Sequence, residues 1–230
     1  RLVNPTTSGG PHRLLSRGDA EGVERTCAVL FLDVRGFTNL SQDKLPYDVV
    51  FILNRLFAAA GGAITRNGGW IDKYLGDGLM AVFGQSCGPE EACRQALHAA
   101  DAIDQALDDV NRDLRDELPS PLRVGIGIHV GPLVLGEIGY EETASMTVIG
   151  RTVNAAARLE AATKEAGCQL IVSLDAACLA GLDGNALNPE TVTVRGLTDP
   201  LEVIFVARAR DLPPMAPNGA TSKSMPEART

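Results

Sequence analysis

Nothing in this 230-residue chain reads as a scaffold held together by cross-links or metal. Its five cysteines, Cys27, Cys87, Cys93, Cys168 and Cys178, form no C-x-x-C pair, and none of the three histidines stands at ligand spacing from them. That pattern excludes a zinc ribbon or a disulfide framework and fits buried free thiols in a reducing compartment. No apolar run approaches the roughly 18 residues of a membrane-crossing helix, so the chain is expected not to span a membrane. A basic excess is missing as well. The formal net charge is −8, from 29 acidic against 21 basic residues, which excludes a general nucleic-acid binder. An anionic substrate must then be held by local cations against an unfavourable overall field. The chain opens on Arg1 rather than Met. A longer parent protein is therefore expected, with an upstream regulatory domain and, in some arrangements, membrane attachment of an otherwise cytoplasmic catalytic part.

What is there suits one large domain, able to bury about 70% of its unfolded surface without a staple. Residues 1–24 are rich in Gly, Ser, Pro, Arg and Thr and read as a linker. Residues 211–230 read as a disordered tail, leaving 25–210 as the domain. Cys27–Val34 is a nearly continuous apolar strand of the buried, central kind. Val49, Ile52, Leu53, Leu56 and Phe57 give helical spacing to Asp48–Arg66. Gly69–Leu75 and Leu79–Phe83 flank Gly76-Asp77-Gly78, a hairpin signal. A long Ala-rich helix follows over Pro89–Leu118. Strands are expected at Leu122–Val130, Pro132–Ile138, Met146–Ile149 and Gln169–Val172, with a helix over Thr152–Glu165 and a short one capped by Ser173. Thr191–Val194 and Leu201–Ala207 make a closing hairpin. Strands mixed with one-sided helices give an α+β class, and strand–helix–hairpin–helix–strand is a split βαβ order.

Two phrases carry chemistry: Phe31-Leu32-Asp33-Val34-Arg35-Gly36-Phe37-Thr38 and Lys73-Tyr74-Leu75-Gly76-Asp77-Gly78. Each sets a carboxylate at the end of an apolar run, beside glycine. Two such carboxylates could share a pair of hard divalent cations, which clamp phosphate oxygens during in-line displacement. Taken singly, each Asp reads as turn chemistry. Asn154 and Arg158 lie four apart and share one helix face. Taken alone, Arg158 reads as a surface ion-pair residue and Lys73 as an exposed strand lysine. His98 and His129 read as structural.

Followed by Val148-Ile149-Gly150-Arg151-Thr152-Val153-Asn154-Ala155-Ala156-Ala157-Arg158-Leu159, these phrases resemble the catalytic domain of class III nucleotidyl cyclases, over roughly residues 25–207. The resemblance implies a ferredoxin-like α+β sandwich that works as a head-to-tail homodimer. It further implies that Asp33 and Asp77 bind two Mg²⁺ or Mn²⁺ ions per active site, with the carbonyl of Val34 as a further ligand. The backbone of Gly36, Phe37 and Thr38 would cradle the triphosphate, where close approach leaves no room for a side chain at Gly36. Lys73 and Thr147 would read the purine, Asn154 would orient the ribose, and Arg158 would neutralise charge growing on the α-phosphate. The family's late Lys-Gly-Lys turn reads Val194-Arg195-Gly196-Leu197 here, so either Arg195 substitutes or that contact is absent.

The same resemblance implies an adenylyl cyclase that converts ATP to 3′,5′-cyclic AMP and pyrophosphate. Lys offers only donors and suits adenine N1, whereas guanine presents an N–H there. Thr147 stands where many adenylyl cyclases carry Asp, as in a bacterial subgroup that includes bicarbonate- or CO2-responsive enzymes. A guanylyl cyclase and a silent dimerising nucleotide-binding module remain as alternatives. Since one chain carries both halves, a homodimer would hold two equivalent composite sites.

Overall fold

One twelve-residue strand, β1 (Val23–Val34), organises the domain. The computed structural model describes residues 22–139, 144–183, 187–193 and 200–216. After β1 come α1 (Phe37–Gln42), α2 (Pro46–Arg66), β2 (Trp70–Leu75), β3 (Gly78–Phe83) and α3 (Pro89–Asp113). Then follow β4 (Val124–Ile138), β5 (Ser145–Ile149), α4 (Arg151–Ala166), β6 (Leu170–Ser173), α5 (Leu174–Leu179), β7 (Glu190–Val192) and β8 (Leu201–Val206). The sheet order is β2-β3-β1-β4-β6-β8-β7, with β5 paired to β4. Only β4–β6 is parallel among these pairs. With α2 and α3 as its crossovers, β2-β3-β1-β4 is the expected split βαβ unit.

Alternation along β1 builds two different faces. Ala28, Leu30 and Leu32 pack with Ile52, Leu56 and Ile64 of α2 and Leu97 and Ile103 of α3. Cys27 and Val29 face the other way, into a cluster with Met80, Val82, Leu133, Leu135, Val148 and Ala156. The far half of β4, together with β5 and α4, therefore covers the second face. Asp33 continues that odd series at the strand end.

Several expectations shift. β1 begins at Val23, because Val23 and Glu24 pair with Leu135 and Val134. α3 stops at Asp113 rather than Leu118. The Asn111 side chain there donates to the Leu122 carbonyl at 3.0 Å and accepts from its N–H at 2.6 Å, turning the chain back. The two strands expected around Gly131 are one unbroken β4. Gly131 serves close packing instead of a turn: a Cβ there would lie 2.7 Å from Thr152 Oγ1. The short helix α1 was not expected. α2 is long and apolar enough, by length and composition, to cross a membrane, with a mean hydropathy of 1.4. Exposed Asn54 and Arg55 interrupt its sequence, and its buried stripe of Ile52, Leu56, Ala60, Ala63 and Ile64 lies in the core.

The expected linker falls mostly outside the described residues, as does the tail beyond Ala216. Residues 211–216 of that tail are tied down: Ala216 N–H donates to Gly181 O at 3.0 Å, and its carbonyl accepts from Arg94 Nη1 at 2.7 Å. All five cysteines are free; Cys27 and Cys93 are buried as expected, whereas Cys178 is exposed. At the end of β8, buried Asp104 of α3 accepts hydrogen bonds from Arg208, Arg210 and Gln169.

Candidate active site

The C-terminal end of β1 places Asp33 opposite Gly78 on β3 and Gly125 on β4. Asp77 sits in the intervening β2–β3 turn, made possible by Gly76 at φ +68°. Burial pushes the Asp33 carboxyl above its ordinary range, and the charge of Asp77 pushes the same way. Arg35 and a hydrogen bond from the Val34 N–H pull against them. The field that raises the proton affinity of Asp33 also attracts a divalent cation, and the hard oxygens of the two carboxylates fit Mg²⁺ or Mn²⁺. Among the described residues no three His, Cys, Asp or Glu side chains converge. The donor set is thus two carboxylates plus backbone or substrate oxygens, which Mg²⁺ accepts.

Past Val34, Gly36 adopts the left-handed conformation at φ +70° and starts α1. The N–H groups of Asn39 and Leu40 turn back to the Gly36 carbonyl at 3.1 and 3.2 Å. Phe37 and Thr38 thereby form the first turn, where backbone N–H groups lack partners within a helix. The loop expected at 36–38 is this turn.

α4 lies against β4 because glycines make room. A Cβ on Gly127 would meet the Glu160 backbone nitrogen at 2.2 Å, and one on Gly125 would meet Arg35 and Thr163. Ala156, Glu160 and Thr163 form the inward stripe of α4. Arg35 Nη2 pairs with Glu160 Oε1 at 3.3 Å beneath the acidic pair. Burial first, then the charges of Asp33 and Asp77, push the Glu160 carboxyl up to about 7. Asn154 and Arg158 are exposed on α4. Among the described residues, no hydrogen bond or ion pair joins either one to the acidic pair or to Lys73 and Thr147. Arg195 lies outside the described residues.

On β2, four residues before Asp77, Lys73 Nζ donates to Thr147 Oγ1 at 2.9 Å. The long β4 and its partner β5 bring together two residues that lie 74 positions apart. A third group completes the contact. Asp72 Oδ2 accepts from the Thr147 hydroxyl at 2.9 Å and pairs with Lys73 Nζ at 3.1 Å.

Asp72, Arg35 and Glu160 were missed as side chains in the sequence. Glu160 carries a legible signal, a charge within the apolar i, i+4, i+7 stripe of α4. Asp72 does not: in a regular strand it would face away from Lys73.

An acidic pair at the end of β1 and in the β2–β3 turn, in a split βαβ sandwich whose β2 and β5 bring a lysine and a threonine into contact, is the arrangement of a class III nucleotidyl cyclase domain. Residues 21–205 match the family described as the adenylate and guanylate cyclase catalytic domain, and the chain belongs to it. An adenylate cyclase of Anabaena cylindrica is 37% identical over 177 residues, covering 71% of this chain and 34% of that protein. The chain spans about a third of the length of the curated relatives it matches. Among solved structures, the guanylyl cyclase Cya2 superposes with a TM-score of 0.72 at 31% identity, covering 81% of this chain and 94% of the other. The adenylyl cyclase CyaB from P. aeruginosa gives 0.72 at 26% identity, covering 84% and 100%.

Proposed function

We propose that this domain is an adenylyl cyclase, forming 3′,5′-cyclic AMP and pyrophosphate from ATP. The observation that carries the choice of base is the 2.9 Å contact between Lys73 and Thr147, which sets a donor beside an acceptor. Adenine presents the complementary acceptor at N1 and donor at N6.

In this reading Asp33 and Asp77, with the Val34 carbonyl, hold two Mg²⁺ or Mn²⁺ ions. When bound, these ions make the ribose 3′-hydroxyl more acidic and polarise the phosphate oxygens. The Gly36–Thr38 backbone turns its N–H groups to the triphosphate, and Arg195 adds a cation there. Asn154 holds the ribose so that its 3′-oxygen lies in line with the bond to be broken. The 3′-oxygen bonds to the α-phosphorus as the bridging P–O bond breaks, pyrophosphate leaves, and the hydroxyl proton passes to water. Arg158 neutralises charge on the five-coordinate phosphorus, where a preorganised cation acts most strongly. Exposure of Asn154 and Arg158 on α4 supports a site completed by a second copy, whose Asp33 and Asp77 they would face. We assign the catalytic domain to residues 25–210, on the cytoplasmic side of any membrane since it draws on ATP.

A guanylyl cyclase is the second reading, favoured by the likeness to Cya2. Lys73 opposes it, because it would face the guanine N1–H. Purified domain incubated with ATP or GTP and Mn²⁺, with products resolved by chromatography, decides between them. Cyclic AMP as the main product supports the proposal; faster cyclic GMP formation, or no cyclic product, overturns it.

A further inference from the structure

The geometry points to Asp72 as a positioning residue that sets which purine the domain accepts, by fixing the Thr147 hydroxyl as an acceptor. This deepens the adenylyl cyclase reading and rests on it.

A bulge makes the contact possible. Ile71 pairs with Ala81 and Lys73 with Met80, so Asp72 is the extra residue on β2. Such an insertion breaks the alternation of the strand and re-aims a side chain. Both Asp72 and Lys73 thereby reach Thr147 on β5. The Asp72 side chain is 0% exposed, and its Oδ1 is buried without a hydrogen-bond partner. Stability alone disfavours such a group, so its presence beside the purine-reading pair calls for another reason.

Counting protons supplies one. A carboxylate paired with an ammonium only accepts, an ammonium only donates, and a hydroxyl has one proton and two lone pairs. The 2.9 Å bond between Thr147 and Asp72 must therefore use the hydroxyl proton. The bond from Lys73 uses one of the two lone pairs of Thr147. Lys73 Nζ also forms an ion pair with Asp72 Oδ2 at 3.1 Å, which takes up at most a second N–H. One N–H on Lys73 and one lone pair on Thr147 remain, side by side. That remainder matches adenine N1 and N6–H and opposes guanine N1–H and O6. A threonine hydroxyl rotates to suit its partner unless something holds it. Without Asp72, Thr147 could donate to O6.

The test compares kcat/KM for ATP and GTP, and the affinities of 3′-deoxy-ATP and 3′-deoxy-GTP, in the presence of Mn²⁺. Asp72→Ala should lower the ATP-to-GTP ratio by about tenfold in both measures. Asp72→Asn, whose amide oxygen can take the place of Oδ2, should stay within about threefold of wild type. In a Thr147→Val background, Asp72→Ala should leave the ratio unchanged. If the Ala variant does not fold, Asp72→Leu fills a similar volume without an acceptor and carries the same expectation. The assignment fails if Asp72→Ala lowers both substrates by one factor. It also fails if Asn behaves as Ala does, or if the ratio shifts equally without the Thr147 hydroxyl. Wild-type protein with no preference for ATP would instead defeat the adenylyl cyclase reading itself.

Discussion

Asp33 and Gly78 face one another across the β1–β3 ladder, and the glycine is what lets them do so. A Cβ on Gly78 would stand 2.6 Å from the Leu32 carbonyl oxygen and 3.0 Å from Asp33 Oδ1. Any side chain there would press the carboxylate off the strand end. The residue after Asp77 is thus constrained by Asp33 as well as by the turn.

Asp33→Ala and Asp77→Ala should each lower turnover by about three orders of magnitude, as loss of a metal ligand removes several kcal/mol of transition-state stabilisation. Circular dichroism should show the fold retained. Near-normal rates at saturating Mn²⁺ in either variant would refute the metal assignment. Because burial and Asp77 raise the Asp33 carboxyl, its contribution to stability is present below the unfolded value and is lost as pH rises through the folded one. Asp33→Asn should therefore stabilise the metal-free domain at neutral pH.

Lys73→Glu combined with Thr147→Cys should move preference from ATP toward GTP. Glutamate accepts where lysine donates, matching guanine N1–H, and a site built for one polar edge discriminates strongly against its inverse. Competition between the two triphosphates in one reaction measures the shift. An unchanged ratio would show that the base is read elsewhere.

Asp33→Ala and Arg158→Ala proteins should each be nearly inactive, yet regain activity once their subunits exchange. Half of a statistical mixture is heterodimer with one intact site, so about a quarter of wild-type activity is expected. A mixture that stays inactive while labelled subunits demonstrably exchange would rule out sites shared between copies.

Gly127→Ala should displace α4 from β4. The added carbon meets backbone, at 2.2 Å from the Glu160 nitrogen and 2.5 Å from the Ala156 oxygen. Overpacking of this kind costs about 1–3 kcal/mol. Turnover should fall more than substrate affinity, because Asn154 and Arg158 ride on the displaced helix. Calorimetry and steady-state kinetics on one sample test both parts; wild-type values in both would mean α4 can yield freely.

Asp104→Asn should weaken the fold at neutral pH by about 2 kcal/mol, as charged hydrogen bonds to Arg208 and Arg210 are lost. Burial pushes the Asp104 carboxyl up, but hydrogen bonds from Arg208, Arg210 and Gln169 outweigh it and hold the group below its ordinary value. Its contribution is then present above about pH 4 and lost as pH falls through the lowered value. Denaturant titrations of wild type and variant should converge in acid; a gap that does not narrow as pH falls would contradict this.

The central elements were legible because local and tertiary preferences agree there. The apolar run of β1, the Asp-Gly turn and the Ser173 cap each have one local meaning, and the structure uses it. The reading failed where a residue answers to a distant neighbour. Gly131 looks like a break and is a packing contact to Thr152. Asp72 looks like an outward strand residue, because only pairing with β3 reveals the bulge. The end of α3 depends on Asn111 reaching Leu122, which helical periodicity does not record. For the candidate site, the sequence named Lys73 and Thr147, while their contact and the approach of Asp72 required coordinates.

β4 pairs with β1 from Val124 to Leu135 and with β5 from Val134 to Ile138, while β2 reaches β1 through β3. The contact of Lys73 with Thr147 therefore closes a loop of strands, β2-β3-β1-β4-β5 and back to β2, whose last join is made by side chains alone. Four joins of that ring are ladders; the fifth is a seam. A seam of a few hydrogen bonds is the ring's most compliant point, and on the proposed reading the incoming purine would lie across it. On the proposed reading, a base of matching polarity would latch the ring shut and one of inverted polarity would leave it ajar, so that substrate would register as a change in stiffness as well as in occupancy.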